Sequence, residues 1–272
     1  MNRRNFLRLM AYSAPVAALG YGLAEAGNVR IERVDARLPN LPQSFDGLKV
    51  AFLTDIHHGP YVTLDQVAAF VRTALALQPD VILLGGDYSL KSDSYIAPCL
   101  EVLASLKAPL GVFGVLGNHD YWHGVDATKA GMAKAGIEEL TNRGVWLNRG
   151  SERIRLAGMD DLWCGRADVN EALADTKPTD ACVLLSHNPD VAETMADRRV
   201  GLMLSGHTHG GQLSFRGLTN PFVPSRYGQK YARGLVEAPA TQVYVSRGLG
   251  VTGLPLRYNC PPEISLVTLC RT

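Results

Sequence analysis

The chain repeats one pattern five times: a short apolar run is followed at once by a turn that carries aspartate, asparagine or histidine. Apolar runs this short, bounded by glycine and polar residues, are typical of buried strands. The carboxyl ends of neighbouring parallel strands meet at one edge of a sheet, so these turns are expected to converge there. The pattern therefore predicts an α/β protein with a single polar rim. The five apolar runs are residues 49–53, 81–84, 112–116, 182–185 and 202–205.

The five turns hold the side chains that could bind a metal. They contain two aspartates, one asparagine and at least four histidines, and all seven histidines of the chain lie in or beside them. Carboxylate and imidazole without thiolate suit Mn, Fe, Zn or Co. The number of groups exceeds what one ion normally takes from a protein, so we expect two ions. The turns are residues 54–59, 86–87, 117–120, 186–188 and 206–209.

Helical segments alternate with the apolar runs over most of the chain. Thr63 and Gln66 form a capping box that predicts a helix start, and further helices are predicted over residues 93–106 and 126–135. Beyond residue 211 short strand-like segments replace the helices. We expect a four-layer α/β/β/α sandwich, with two mixed sheets flanked by helices and the metal site at the carboxyl ends of the strands. The strand-like segments are residues 212–215, 242–246 and 263–269.

Residues 1–26 have the composition of an export signal. Arg3 and Arg4 form a twin-arginine pair, residues 9–24 carry no charge, and Ala24-Glu25-Ala26 offers a small-x-small cleavage site. We expect cleavage, export by the twin-arginine machinery, and a location in the periplasm or cell envelope. An uncleaved membrane anchor is the alternative. Residues 27–272 are predicted to form a single domain, because their length suits one large α/β unit.

The net charge bears on whether the chain binds nucleic acid, and the cysteine spacing bears on metal binding and disulfide pairing. The formal charge is +1, and removal of three arginines and one glutamate with residues 1–26 leaves −1. Without a basic excess, nucleic acid is not an expected partner. The five cysteines contain no C-x-x-C spacing. Cys99 and Cys182 lie in apolar segments and are predicted to be core residues, whereas Cys260 and Cys270 could pair in an oxidising compartment.

The ordered motifs D-x-H, G-D, G-N-H-D, H and G-H-x-H run from Asp55 to His209 and resemble those of the calcineurin-like metallophosphoesterases. Residues 224–231 and 245–250 also resemble the exported bacterial phosphodiesterase branch of that family. The resemblance implies a hydrolase that uses a metal-activated hydroxide for in-line attack on a phosphate ester, with a diester favoured over a monoester. Two divalent ions are implied, with Mn or Fe favoured and Zn as the alternative.

The resemblance also assigns roles to individual residues. Asp87 would bridge the two ions. His119, which is assigned to neither ion, would donate a hydrogen bond to phosphate or protonate the leaving group, and Asp120 would orient it. The first ion would be held by Asp55, His57, Asp87 and His209. The second ion would be held by Asp87, Asn118, His187 and His207.

Three further residues are candidates for contact with the substrate: His58, His123 and Arg247. Solvated loop residues are the alternative for the two histidines, and an ordinary surface position is the alternative for the arginine. A basic and aromatic stretch within residues 226–233 could form a wall of the substrate site or touch a membrane surface. A packed loop edge is the alternative for that stretch.

Two other functions remain open from the sequence. If residues 1–26 stay attached as an anchor, the chain could cleave the pyrophosphate of a lipid precursor, as the UDP-2,3-diacylglucosamine hydrolases of this fold do. A metallophosphoesterase fold without catalytic activity could instead serve as a binding scaffold. None of the metal positions in the five motifs is missing, which favours the enzyme.

Overall fold

The computed structural model describes residues 3–215, 220 and 222–272, apart from the side chains of residues 4–14. Its strands form two sheets of six strands each. The strands are, in chain order, β1 (Arg30–Leu38), β2 (Leu48–Leu53), β3 (Val81–Leu84), β4 (Val112–Gly114), β5 (Glu138–Glu139), β6 (Arg143–Arg149), β7 (Glu152–Gly158), β8 (Cys182–Leu185), β9 (Leu202–Ser205), β10 (Gly234–Glu237), β11 (Gln242–Val245) and β12 (Glu263–Arg271).

Both sheets are mixed, as the sequence predicts. The first has the order β1-β12-β2-β3-β4-β5, in which β2 to β5 are parallel and β12 runs antiparallel to β2. The second has the order β10-β11-β9-β8-β7-β6, with a parallel centre and antiparallel strands at both edges. The turns after β2, β3, β8 and β9 therefore leave the carboxyl ends of parallel strands.

The described helices are α1 (Arg3–Ala26), α2 (Leu64–Ala76), α3 (Ile96–Leu103), α4 (Asn118–Ala135), α5 (Val169–Leu173) and α6 (Val191–Thr194). Apolar side chains from both sheets form one buried cluster between them. A second cluster joins the first sheet to α2, α3 and α4, and a third covers the outer face of the second sheet beside α5 and α6. The predicted four layers are confirmed, although the outer helices of the second sheet are only four or five residues long.

Local sequence signals explain how the helices begin. Thr63 accepts a hydrogen bond from the Gln66 amide, and the Gln66 side chain accepts one from the Thr63 amide, so the predicted capping box is confirmed. Helix α4 begins at Asn118 instead of the predicted residue 126, because Asp120 accepts a hydrogen bond from the amide of Gly117 at the helix start. The G-N-H-D motif therefore forms the first turn of a helix. Gly124 (φ 147°) then kinks that helix.

The segment after the last histidine motif differs from the expectation. Residues 212–215 do not form a strand, and Leu213 makes only an isolated bridge to Tyr258. Strands β1, β5, β6, β7 and β10 were not predicted. Cys99 and Cys182 are buried core residues as expected, and Cys260 and Cys270 are both free thiols in the described structure.

The carboxyl-terminal half of α1 lies against the domain. The Arg257 amide donates to the Gly22 carbonyl at 3.1 Å, and the rings of Tyr21 and Tyr258 pack edge to face at 5.3 Å. Within the described residues, no helix is long and apolar enough to cross a membrane. The side chain of Arg4, in the predicted twin-arginine pair, lies outside the described part of the chain.

Candidate metal centre

The turns after β2 and β9 bring three predicted ligands together. Asp55, His57 and His209 are all buried, and each offers one ligand atom within 4.8 Å of the others. The Nε2 atoms of His57 and His209 lie 3.1 Å apart, and Asp55 Oδ1 lies 3.4 Å from His209 Nε2. These three residues form the part of the site that the sequence assigns to the first ion.

Asp87 lies between that group and the turn after β8. Its Oδ2 atom is 3.5 Å from His57 Nε2 and 3.3 Å from His187 Nε2. His207 Nδ1 lies a further 3.3 Å from His187 Nε2. One oxygen of Asp87 therefore faces ligand atoms on both sides, which is the position required of a bridging carboxylate.

The donor set fits cations on chemical grounds. Two imidazole nitrogens 3.1 Å apart need a proton or a cation between them, because two lone pairs repel. The Oδ1 atom of Asn118 is buried and has no hydrogen-bond partner among the described residues. A buried polar atom without a partner is costly, and a metal ion would satisfy it. Imidazole, carboxylate and amide oxygen together suit a divalent transition ion.

Five of the predicted ligands have a left-handed backbone conformation, which is uncommon for residues other than glycine. The φ angles are 52° at Asp55, 49° at His57, 58° at Asp87, 68° at His207 and 52° at His209. Each such residue stores on the order of 1–3 kcal/mol of strain, and such strain concentrates at functional sites. The sharp turns let the D-x-H, G-D and G-H-x-H motifs direct their side chains towards the rim.

Glycines make the close approach of these turns possible. A Cβ atom at Gly206 would lie 2.2 Å from Asp55 Oδ2, and one at Gly117 would lie 2.3 Å from Asp87 Oδ1. Neither approach is compatible with a larger residue, because both partners are fixed by the folded turns. The glycine in each motif is therefore a packing requirement of the metal site.

Neighbouring polar groups fix the orientation of the ligands. The Nδ1 atom of His187 lies 2.8 Å from the carbonyl oxygen of Gly85, to which it can donate, and this leaves Nε2 facing Asp87. The Thr54 hydroxyl donates to Asp55 Oδ2 at 2.8 Å, and the amide of His207 donates to the same oxygen at 3.0 Å. These contacts hold both side chains in position without a bound ion.

The electrostatics of the metal-free site centre on one ion pair. Burial lowers the pKa of both His57 and His207 to about 3, so their imidazoles are neutral and available as ligands. Burial would also lower the pKa of His187, but Asp87 opposes it and raises that pKa to about 10. His187 in turn holds the pKa of Asp87 well below its usual range, against the effect of burial. A proton on His187 thus supplies part of the positive charge that a metal would bring.

His119 has a different partner from the one expected. Its Nδ1 atom lies 3.3 Å from His123 Nε2, and that nitrogen also accepts the backbone N–H of Lys91 at 3.0 Å. The His119 ring packs edge to face against the His57 ring, with centroids 4.7 Å apart. His119 also offers a nitrogen within 4.8 Å of ligand atoms on His57 and Asp87, so it lies at the edge of the metal site.

Asp120 does not orient His119, and that expectation is wrong. Its carboxylate accepts the backbone N–H groups of Asp87 (2.8 Å), Tyr88 (3.0 Å) and Gly117 (2.9 Å). The first turn of α4 directs this side chain back towards its own amino terminus and the turn after β3. Asp120 therefore ties the Asp87 turn to the start of α4.

The other two expected substrate contacts are engaged elsewhere. His58 is buried, and its Nδ1 atom lies 2.8 Å from the carbonyl oxygen of Val62. Arg247 forms ion pairs with Glu263 and Glu32, the latter at 2.8 Å. The Val62 carbonyl engages His58, and the two carboxylates neutralise the guanidinium of Arg247. Neither side chain therefore supports the predicted contact with substrate.

One buried residue behind the site, Arg257, is not predicted by any sequence pattern. Arg257 is fully buried and donates to the carbonyl oxygens of Arg247, Gly248 and Gly250, among others. A Cβ atom at Gly248 would lie 2.6 Å from the Cβ atom of Asp55. Arg257 therefore braces the loop on which Asp55 rests. An isolated arginine between loop residues is not distinguishable from a surface arginine in the sequence.

Two tryptophans at the rim were also missed. The ring of Trp122 lies 4.7 Å from that of His119, and the ring of Trp163 lies 4.3 Å from that of His207. Both indoles are largely exposed to solvent. Trp122 lies two residues beyond the G-N-H-D motif, which was an available signal, whereas Trp163 follows no motif and reaches the site only through folding.

Comparison with known proteins agrees with this geometry. Residues 48–211 match the calcineurin-like phosphoesterase family. The chain is 35% identical to the uncharacterized metallophosphoesterase YkuE of Bacillus subtilis, with 100% of this chain and 99% of the relative covered. It is 32% identical to the phosphodiesterase YaeI of Escherichia coli, with 99% of each covered. An uncharacterized metallophosphoesterase of Aquifex aeolicus is 33% identical over 92% of this chain and 95% of its own length.

The matched region begins with β2 and ends just beyond the last predicted ligand, so it contains all five motifs. Near-complete coverage of both bacterial relatives means that the likeness extends to the flanking strands as well. With the clustered ligands of the rim, these matches establish that the chain belongs to the calcineurin-like phosphoesterases and is a metal-dependent hydrolase of phosphate esters.

Proposed function

We propose that the protein is a phosphodiesterase with two divalent metal ions. The observation that carries the proposal is the position of Asp87, one oxygen of which lies 3.5 Å from His57 Nε2 and 3.3 Å from His187 Nε2. Each histidine belongs to a separate group of buried ligands. A single ion would leave one of these groups without a cation.

Both sheets contribute proposed ligands to each ion. The first ion would be held by Asp55, His57, Asp87 and His209. The second ion would be held by Asp87, Asn118, His187 and His207. When bound, the pair supplies Lewis acidity and a water that ionises near neutral pH. Mn or Fe is the preferred metal and Zn the alternative, since the ligands are carboxylates, imidazoles and one amide.

His119 is the proposed proton donor to the departing oxygen. His123 engages its Nδ1 atom. Nε2 is therefore the nitrogen that would carry the transferable proton, in the imidazolium form in which both ring nitrogens are protonated. The Lys91 amide donates to the same nitrogen of His123, so that nitrogen is an acceptor and His119 Nδ1 is the donor. This arrangement fixes the tautomer of His119, the role that the sequence assigned to Asp120.

A diester substrate is supported by the relative from Escherichia coli whose name is phosphodiesterase. Removal of the segment 1–26 by export would place the reaction in the periplasm or cell envelope. Mass spectrometry of the purified envelope fraction tests this: a mature amino terminus at Gly27 supports the proposal. An intact Met1 in that fraction would favour the anchored alternative, with its lipid-pyrophosphate substrate.

The activity is tested with metal-stripped protein reloaded with Mn, Fe(II) or Zn. We expect about two metal ions per chain and faster turnover of bis(4-nitrophenyl) phosphate than of 4-nitrophenyl phosphate. An Asp87→Asn variant should lose metal from both positions, because the bridging oxygen is removed. Protein that binds no divalent ion and turns over neither compound would be a scaffold, and the proposal would be abandoned.

A further inference from the structure

Two exposed tryptophans stand beside the catalytic rim. The side chains of Trp122 and Trp163 have relative exposures of 56% and 46%, high for the largest apolar residue type. Each ring contacts a histidine of the site: Trp122 against His119 at 63° and Trp163 against His207 at 88°. Neither contact accounts for the indole surface that remains open to water.

Both tryptophans lie on the same side of the site. His119 follows Asn118, and both Asn118 and His207 are proposed ligands of the second ion. The Cys164 thiol, next to Trp163, lies beside the Trp122 side chain. The two indoles therefore border the rim beside His119 and His207.

The backbone holds both indoles in place. The amides of Trp163 and Cys164 donate to the carboxylate of Asp161 at 2.9 and 2.8 Å, and Asp161 is 1% exposed. Trp122 lies in the first turns of α4, close to the hydrogen bonds of Asp120. Rigid aromatic side chains lose little conformational entropy when they bind a ligand.

The third tryptophan of the chain is used differently. The guanidinium of Arg153 covers the Trp146 ring at 3.8 Å from its centroid, and Trp146 Nε1 donates to Asp175 at 3.3 Å. Trp146 is thus already paired on β6, an edge strand of the second sheet. This contrast separates a structural tryptophan from the two at the rim.

We propose that Trp122 and Trp163 form a ring-binding platform for one substituent of the phosphodiester. The inference rests on the proposed function, because the metal pair would hold the phosphorus while the platform receives the attached group. An exposed indole stacks on the π-face of a nucleobase and packs against the C–H face of a sugar ring by apolar contact. The substrate class is therefore a phosphodiester with a nucleobase or a sugar ring in one substituent.

The test is a binding experiment on the metal-loaded full-length protein. The probes are adenosine 5′-monophosphate, glucose 1-phosphate and glycerol 3-phosphate, which share a phosphate and differ in ring content. We expect calorimetry to show at least one ring-bearing probe binding about tenfold more tightly than glycerol 3-phosphate. In a Trp146→Phe background, tryptophan emission then reports only the platform and should change with the ring-bearing probe alone.

Substitution of the platform should remove the preference. Trp122→Leu and Trp163→Leu should each weaken the binding of the ring-bearing probe about tenfold, equivalent to about 1.4 kcal/mol. The affinity of each variant for glycerol 3-phosphate should stay within twofold of the wild-type value. Trp→Phe at either position should restore most of the binding, and Trp146→Leu is the matched control. The platform proposal is overturned if the wild type binds all three probes with equal affinity. It is also overturned if the variants lose affinity equally for all three probes. Metal content per chain, measured by mass spectrometry of the elements, tests the metal proposal separately, because that measurement involves no ring-bearing substrate.

Discussion

The His119 ring contacts a partner outside its own motif. The G-N-H-D motif supplies an aspartate next to the histidine, but that carboxylate faces backbone amides of Asp87, Tyr88 and Gly117. His123, one turn further along α4, meets the His119 ring instead. Residues four positions apart share a helix face, whereas adjacent residues do not. The helix start at Asn118 therefore decided which side chain could orient His119.

Replacement of His119 separates proton transfer from metal binding. We expect His119→Ala to reduce kcat by about 10²- to 10⁴-fold, the usual contribution of a general acid. The loss should be largest for diesters with poor leaving groups, because those need a proton most. Metal content, measured by mass spectrometry of the elements, should stay at the wild-type value. Loss of metal parallel to loss of activity would show that His119 is a ligand.

Asp120 is expected to act through the backbone. In Asp120→Asn the side-chain NH₂ group, which cannot accept a hydrogen bond, would face at least one of the three backbone N–H donors. That buried donor would then have no acceptor. We expect a loss of about 1–3 kcal/mol in the free energy of unfolding, measured by denaturant titration, and weaker metal binding through the displaced Asp87. Unchanged stability with reduced kcat alone would restore the orienting role.

At the scale of secondary-structure elements, the turns that follow the strands hold the ligands of the site. Each apolar strand is buried on both faces, so its end is fixed, and the left-handed residues that follow turn the side chains outwards. The glycines permit neighbouring turns to touch. Because Gly206 of the turn after β9 contacts Asp55 of the turn after β2, the two sheets meet at this point.

The contact at Gly206 predicts a clear effect of one added methyl group. In Gly206→Ala the new Cβ would lie 2.2 Å from Asp55 Oδ2, so the Asp55 side chain must move. We expect loss of the first ion and a fall in activity of at least about tenfold, because small displacements of reacting groups are costly. Gly136→Ala, where no atom lies within 4 Å of the new Cβ, is the control and should keep its metal, although its φ of 71° makes alanine strained there. Full metal occupancy in Gly206→Ala would contradict the close approach.

For the whole molecule, the buried ligands couple metal binding to stability. Two sheets contribute opposite sides of the site, so an ion that binds only the folded chain holds them together. At a free-metal concentration about 1,000-fold above Kd, the stabilisation is about 4 kcal/mol. For a chain of this size, we expect chelation to lower Tm by roughly 8–16 °C, measured by calorimetry. An unchanged Tm would mean that the folded chain binds no ion tightly.

The same coupling has a defined dependence on pH. The pKa of His187 is raised to about 10 in the metal-free protein by Asp87, so His187 carries a proton at pH 7. Metal can bind its Nε2 atom only after that proton leaves. We expect proton release on metal addition in weakly buffered solution, and weaker metal binding as the pH falls from 8 to 6. Metal addition without release of protons would contradict the protonated state of His187.

The sequence by itself determined the residues that can bind metal, the strands that precede them and the layer architecture. Those features depend on apolar periodicity and on side-chain chemistry, which are local. It did not determine the partner of His119, the amides bound by Asp120, or the ion pairs that remove Arg247 from the site. Arg257 and Trp163 reach the rim only because distant loops fold over it. Contacts between segments far apart in the chain depend on how the two sheets pack, and local sequence patterns do not predict that packing.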